Sequence, residues 1–119
     1  MPGKPVHIEI AAKDTSRAQD FYKGLLGWQF ESMEGPVEYH MTRFSEDTGA
    51  GLFPGDPGAI RVYFDVDDIK AGAARVKELG GNADDPQPVP GMGWFVTGTD
   101  TEGNAIGLWQ TDAAAPVPS

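Results

Sequence analysis

Asp100-Thr101-Glu102-Gly103-Asn104-Ala105-Ile106-Gly107-Leu108-Trp109-Gln110 reads as a tight turn followed by a short apolar strand. Asp and Asn tolerate left-handed backbone and Gly has no Cβ to clash, so Asp100, Gly103 and Asn104 supply turn chemistry. Ala105 to Trp109 then predicts a strand. Side chains alternate with period two, which puts Gly107 and Trp109 on one face. A glycine in a strand leaves room for another group to approach closely, and Trp109 offers a wall beside that room.

Working outward, the same plan occurs twice. Val6 to Ala12 predicts a strand with His7, Glu9 and Ala11 on one face and Ile8 and Ile10 on the other. Asp14, Thr15 or Ser16 can cap a helix whose stripe is Ala18, Phe21, Tyr22, Leu25 and Leu26, closed by Gly27 as a left-handed cap. Strands follow over 28–33, 37–44 and 49–53. Pro54-Gly55-Asp56-Pro57-Gly58 reads as a linker. A strand over 60–66 leads to a second helix, capped by Asp67 or Asp68, with Ile69, Ala73, Val76 and Leu79 as its buried stripe and Gly80-Gly81 as its end. Residues 82–90 read as an extended edge with poor pairing. Residues 91–99 form a strand carrying Trp94 and Phe95, and 112–119 read as a frayed tail. An offset of 54 pairs Asp14 with Asp68, Leu25 with Leu79, Gly27 with Gly81 and His7 with Arg61; an offset of 56 pairs Gly51-Leu52-Phe53 with Gly107-Leu108-Trp109. The reading is one domain over 1–119, with module one at about 5–54 and module two at about 59–111. Half a chain this size buries too little surface to stand alone, so the halves are expected to share one sheet surface.

The 119 residues suffice for one core without staples. Cysteine is absent, which removes disulfides, thiolate ligands and a cysteine nucleophile. A formal net charge of −9, from 18 acidic and 9 basic residues, argues against nucleic acid and against anionic membranes. No apolar run is long enough to span a bilayer, and Met1-Pro2-Gly3-Lys4-Pro5 lacks the apolar core of a secretory signal, so a cytoplasmic protein is expected. No Ser–His–Asp spacing, phosphate loop or dinucleotide fingerprint is present.

The doubled β-α-β-β-β plan, Phe21-Tyr22 with Leu26-Gly27-Trp28, Val66-Asp67-Asp68-Ile69, and Gly91-Met92-Gly93-Trp94-Phe95 leading into Asp100–Asn104 together resemble the vicinal oxygen chelate superfamily. Its members include glyoxalase I, bleomycin-resistance proteins and extradiol dioxygenases. The resemblance runs from about Val6 to Gln110. It is nearest to actinobacterial glyoxalase-like proteins. It implies an α+β fold in which two βαβββ modules form a curved mixed sheet around a cleft, and a homodimer. Glyoxalase-type members hold a divalent metal through four inward residues. Carried over by position, these fall on His7, Gly51, Arg61 and Gly107. One is a metal ligand, two have no side chain and one is a cation, whereas a catalytic site keeps three protein ligands.

The residues therefore lead to two readings. The first is a metal-free, cofactor-free binding protein of the bleomycin-resistance type, sequestering a hydrophobic aromatic molecule such as an antibiotic. Gly51 and Gly107 would let a flat ligand approach; Phe53, Tyr63, Trp94 and Trp109 would stack on it; His7, Glu9 and Arg61 would fix its polar groups. The second is a lyase, isomerase or dioxygenase-type enzyme with a relocated metal or an acid/base pair such as His7 with Glu9, for which His40 or Glu38 could supply further groups. Beside these stand plainer roles: His7 as a hydrogen-bonded strand histidine, Arg61 as a salt-bridge partner of Glu9, and the aromatics as core.

Overall fold

The computed structural model describes residues 3–117. The first two residues of the start read above for a signal, and residues 118–119 of the expected tail, lie outside the described residues. The described chain forms two compact units. One is His7–Arg61; the other joins the segment through Val6 to the segment from Val62 onward.

The unit of residues 7–61 takes up β1 (Pro5–Ala12) and contains α1 (Thr15–Leu26), β2 (Glu31–Ser32), β3 (His40–Arg43) and β4 (Gly49–Pro54). Its strands run in the order β2-β3-β4-β1. β1 lies parallel to β4, with Glu9 opposite Gly51, and β3 lies antiparallel to it, with Met41 opposite Gly51. Of the three predicted caps Asp14 does the work, its carboxylate accepting the Arg17 N–H at 3.0 Å, and Gly27 closes α1 at φ 75°. The α1 stripe is only half covered: Ala18 and Tyr22 are half-buried, while Phe21, Leu25 and Leu26 are 61, 65 and 51% exposed. The predicted strand over 28–33 shrinks to two residues because its aromatics pack elsewhere. Trp28 stacks on Tyr22 at 5.2 Å between ring centres and meets Phe44 at 4.8 Å.

The other unit contains β5 (Arg61–Asp65) from Val62 on, α2 (Ile69–Glu78), β6 (Asn82–Ala83), β7 (Gln87–Val89), β8 (Gly93–Thr99) and β9 (Ala105–Thr111). The order is β5-β9-β8-β6, with β7 also on β8. β5 and β9 are parallel; β8 and β9 are antiparallel. Asp68 caps α2 by accepting the N–H groups of Lys70 and Ala71. Ile69, Ala73, Val96 and Leu108 form the buried core under α2, with Phe64, Val66, Val76, Ala83 and Trp94 packed around it. Residues 82–90 are better paired than expected, for both short strands bond β8. The β8–β9 turn is clasped by Asp100: Oδ1 accepts the N–H groups of Glu102 and Asn104, and Oδ2 accepts the Asn104 side-chain amide. These bonds hold the Asp100 carboxyl below its usual range, that from the Asn104 side chain most. Gly103 adopts φ 87°, as the turn chemistry requires. Nor is the start of the tail free: the Gly91 N–H donates to the Ala115 carbonyl at 3.0 Å, and Ala115 is buried.

Each unit is thus a mixed sheet with one helix, an α+β arrangement. No helix among the described residues is long and apolar enough to cross a membrane.

Candidate functional site

In the unit of residues 7–61, strand alternation and the β1–β4–β3 register put His7, Glu9, Gly51, Phe53 and Met41 on one face of the sheet. Tyr39, just before β3, joins them. Its Oη lies 2.7 Å from His7 Nε2 and donates to Glu9 Oε2 at 3.1 Å. Its ring runs nearly parallel to both His7, which meets it end-on at the hydroxyl, and Phe53, with centroids 6.3 and 6.4 Å away and planes 20° and 21° apart. Beneath it lies Gly51, where an added Cβ would collide with the Tyr39 phenol.

The room foreseen above Gly51 is therefore filled by the protein itself. An unfilled notch beside a sheet forfeits dispersion contacts on one side, and a neighbouring aromatic recovers them. The His7 and Glu9 side chains both reach the same hydroxyl. Burial first, then the positive charge of Arg43, lowers the His7 pKa from 6.5 to about 4, so its imidazole is neutral at pH 7. Arg61 stands half-buried at the head of β5 and has an interaction partner of its own.

Glu38 and His40, weighed as additions to His7 and Glu9, form a separate pair. His40 is in register with Leu52, whose side chain lies on the opposite face from Gly51. Its Nε2 is 2.8 Å from Glu38 Oε2, its Nδ1 is 2.9 Å from Ser32 Oγ, and Thr15 Oγ1 donates to Glu38. Those bonds, Thr15 first, hold the Glu38 carboxyl below its ordinary value.

In the other unit Tyr63 pairs with Gly107 and is only 5% exposed. Its ring covers Gly107 so closely that a Cβ there would strike it. The second glycine notch is thus also filled, and Tyr63 is a packing residue. Trp109 shares this face. Its indole lies over Gly93, where an added Cβ would come within 2.6 Å of Cζ2, and its N–H donates to Thr111 Oγ1 at 3.0 Å. Trp94 does not share it. Trp94 pairs with Gln110 and packs on the α2 core, its N–H donating to Asp112 Oδ2 at 3.1 Å. Phe95, opposite Trp109 in the register, takes the place that Trp94 was expected to hold.

The donors do not fit a divalent ion. Among the described residues no group of three or more His, Cys, Asp or Glu is placed to hold one. His7, the single ligand type at the four carried-over positions, spends Nε2 on Tyr39 and lies near Arg43. Sequence reasoning missed Tyr39, Phe95 and Arg43. For Tyr39 a signal existed: alternation through the predicted strand over 37–44 places it on the Met41 face, and only the register over Gly51 was out of reach.

Residues 7–109 match the model of the glyoxalase-like domain. Two curated relatives align over 92% of the chain. Anthracycline biosynthesis protein DnrV of Streptomyces peucetius is 29% identical. CFP32 of Mycobacterium tuberculosis, which bears the name of a glyoxylase, is 30% identical. The aligned region makes up 47% and 46% of these relatives, so the chain spans about half their length. Among solved structures, a methylmalonyl-CoA epimerase of Streptomyces coelicolor superposes with a TM-score of 0.73 at 18% identity, covering 99% of this chain and 100% of the other. The enzyme of the same name from Mycobacterium tuberculosis gives 0.70 at 18%, covering 97% and 89%. At these identities the likeness establishes the fold alone.

Proposed function

The chain belongs to the glyoxalase-like domain family, within the vicinal oxygen chelate superfamily, and from that premise we propose that it is a metal-free binding protein for a hydrophobic aromatic small molecule. The observation that carries this reading is the engagement of His7 and Glu9 by Tyr39 above Gly51. His7, at the one carried-over metal position that holds a ligand type, is turned here with Glu9 to an aromatic hydroxyl. Two aromatic surfaces, Phe53 within one unit and Trp109 with Phe95 within the other, each offer stacking by themselves. The kinship with a protein named for anthracycline biosynthesis agrees with a fused-ring aromatic as ligand. The acid/base alternative is weaker on chemical grounds. A general base works best with a pKa near the working pH, and His7 at about 4 is a poor one.

Titration with fused-ring aromatic antibiotics should quench the intrinsic tryptophan fluorescence in a saturable way, and Trp109→Ala should weaken binding by about tenfold, the loss of one stacking contact. A flat response from folded protein across such a panel counts against the reading. Equal affinity in Trp109→Ala removes Trp109 from the site. Stoichiometric divalent metal held by the purified protein would overturn the metal-free part.

The partner proposed for the uncovered side of α1 is a second copy of the chain. Phe21, Leu25 and Leu26 expose an apolar surface of the kind that marks association sites. In chains of net charge −9, two copies repel least across an uncharged patch. Light scattering should read a dimer, and Leu25→Asp should convert it to a folded monomer. A parent protein that is already monomeric would end this proposal.

A further inference from the structure

Tyr39 is held as a bound ligand would be held. We propose that it is an internal stand-in, and that the seat it fills above Gly51, between His7, Glu9 and Phe53, takes a neutral hydroxyaromatic molecule when the Tyr39 side chain turns out. The inference rests on the binding reading above and names the chemical class for that site.

Three features of the seat define the class. The first is shape: a flat ring lies nearly parallel to the Phe53 ring, with planes 21° apart, and points its hydroxyl end at His7, and the bare backbone of Gly51 gives it depth. The second is the polar pair at its end. The single hydroxyl proton of Tyr39 is donated to the Glu9 carboxylate, so the neutral imidazole of His7 donates its Nε2–H to the same oxygen. One acceptor and one donor converging on one atom match a hydroxyl, which is both. A ligand carboxylate would meet Glu9 charge against charge, and an ammonium group would present donors to a donor on His7. The third is the tether. The Tyr39 carbonyl is fixed by the Met33 N–H at 2.8 Å, so the backbone stays while rotation about the side-chain bonds clears the seat.

A tethered competitor lowers the fraction of protein ready to bind and raises the apparent Kd in proportion. The test is calorimetric titration of the parent, Tyr39→Ala and Tyr39→Phe with 2-naphthol and, as the probe without a hydroxyl, naphthalene. Tyr39→Ala should bind 2-naphthol about tenfold or more tighter than the parent, and should prefer it to naphthalene by about tenfold, as expected for one hydrogen bond to a charged acceptor. Tyr39→Phe keeps the ring but loses its hydroxyl, so it should gain a smaller factor, about threefold. It also carries the test should the alanine variant not fold. If parent and variants bind 2-naphthol equally, or if naphthalene binds as well as 2-naphthol, the inference falls and the binding reading stands. If folded parent and variants take up neither probe, both fall.

Discussion

Lowering the pH from 7 to 4 is expected to cost the fold roughly 3 kcal/mol through His7 alone, from about 1.4 kcal/mol per pKa unit. The unfolded chain takes up a proton on His7 near pH 6.5, and the folded protein declines it until about 4. Between those values the unfolded state binds more protons, so stability falls as the pH falls. The loss begins below 6.5 and is complete below about 4. Burial is the main cause, and the positive charge of Arg43 adds to it. Asp100 and Glu38 act with the same sign but in a lower window, since their folded carboxyl pKa values lie below 3.8 and 4.5. Urea unfolding at stepped pH reads the effect, and His7→Gln should flatten the profile between 6.5 and 4.5. A parent profile already flat there would mean that water reaches the imidazole.

Leu52→Ala is the second large effect, a loss of about 2–5 kcal/mol. Leu52 is wholly buried on β4, flanked by Ile10 of β1 and His40 of β3. Ala50, next along the strand on the same face, is also fully enclosed and too small to fill the void. The site therefore collapses poorly, which is the condition under which such truncations cost most. Against a total stability of about 5–15 kcal/mol for a typical domain, that is a serious fraction. The urea midpoint measures it. Val37→Ala, at a position 65% exposed and away from the α1 patch, is the control and should move the midpoint little. A Leu52→Ala loss under about 1 kcal/mol would contradict the enclosure.

What the sequence made legible is what depends on local chemistry. The sequence narrows the helix starts to Asp14, Thr15 or Ser16 and to Asp67 or Asp68, and marks Gly27 as an end, because capping involves neighbours within a turn; Asp14 and Asp68 are the caps the structure uses. β9 was read with the correct face for Leu108 because alternation is also local. The doubled plan followed from residue spacing. What stayed hidden depends on which strand lies beside which. Tyr39 reaches Gly51 only because Met41 pairs with Gly51 across β3 and β4. Trp94 and Phe95 are adjacent, so they must point oppositely. Which one joins Trp109 is decided by the pairing of Phe95 with Trp109, and no local pattern encodes that. The glycines misled for the same reason: an absent side chain is visible in the sequence, and the ring that leans over it is not. For α1 the stripe was legible, but amphipathic spacing does not say how much of an apolar face its own sheet can cover.

The clasp that Asp100 closes between β8 and β9 makes loop length a matter of parity. A strand that slips by one residue turns every side chain to the other face. Removing one residue between Asp100 and Ala105 would send Trp109 toward α2 and bring Leu108 out to meet Tyr63. Removing two would restore both. The odd or even count of residues in this turn thus decides which side chains of β9 face α2 and which face Tyr63.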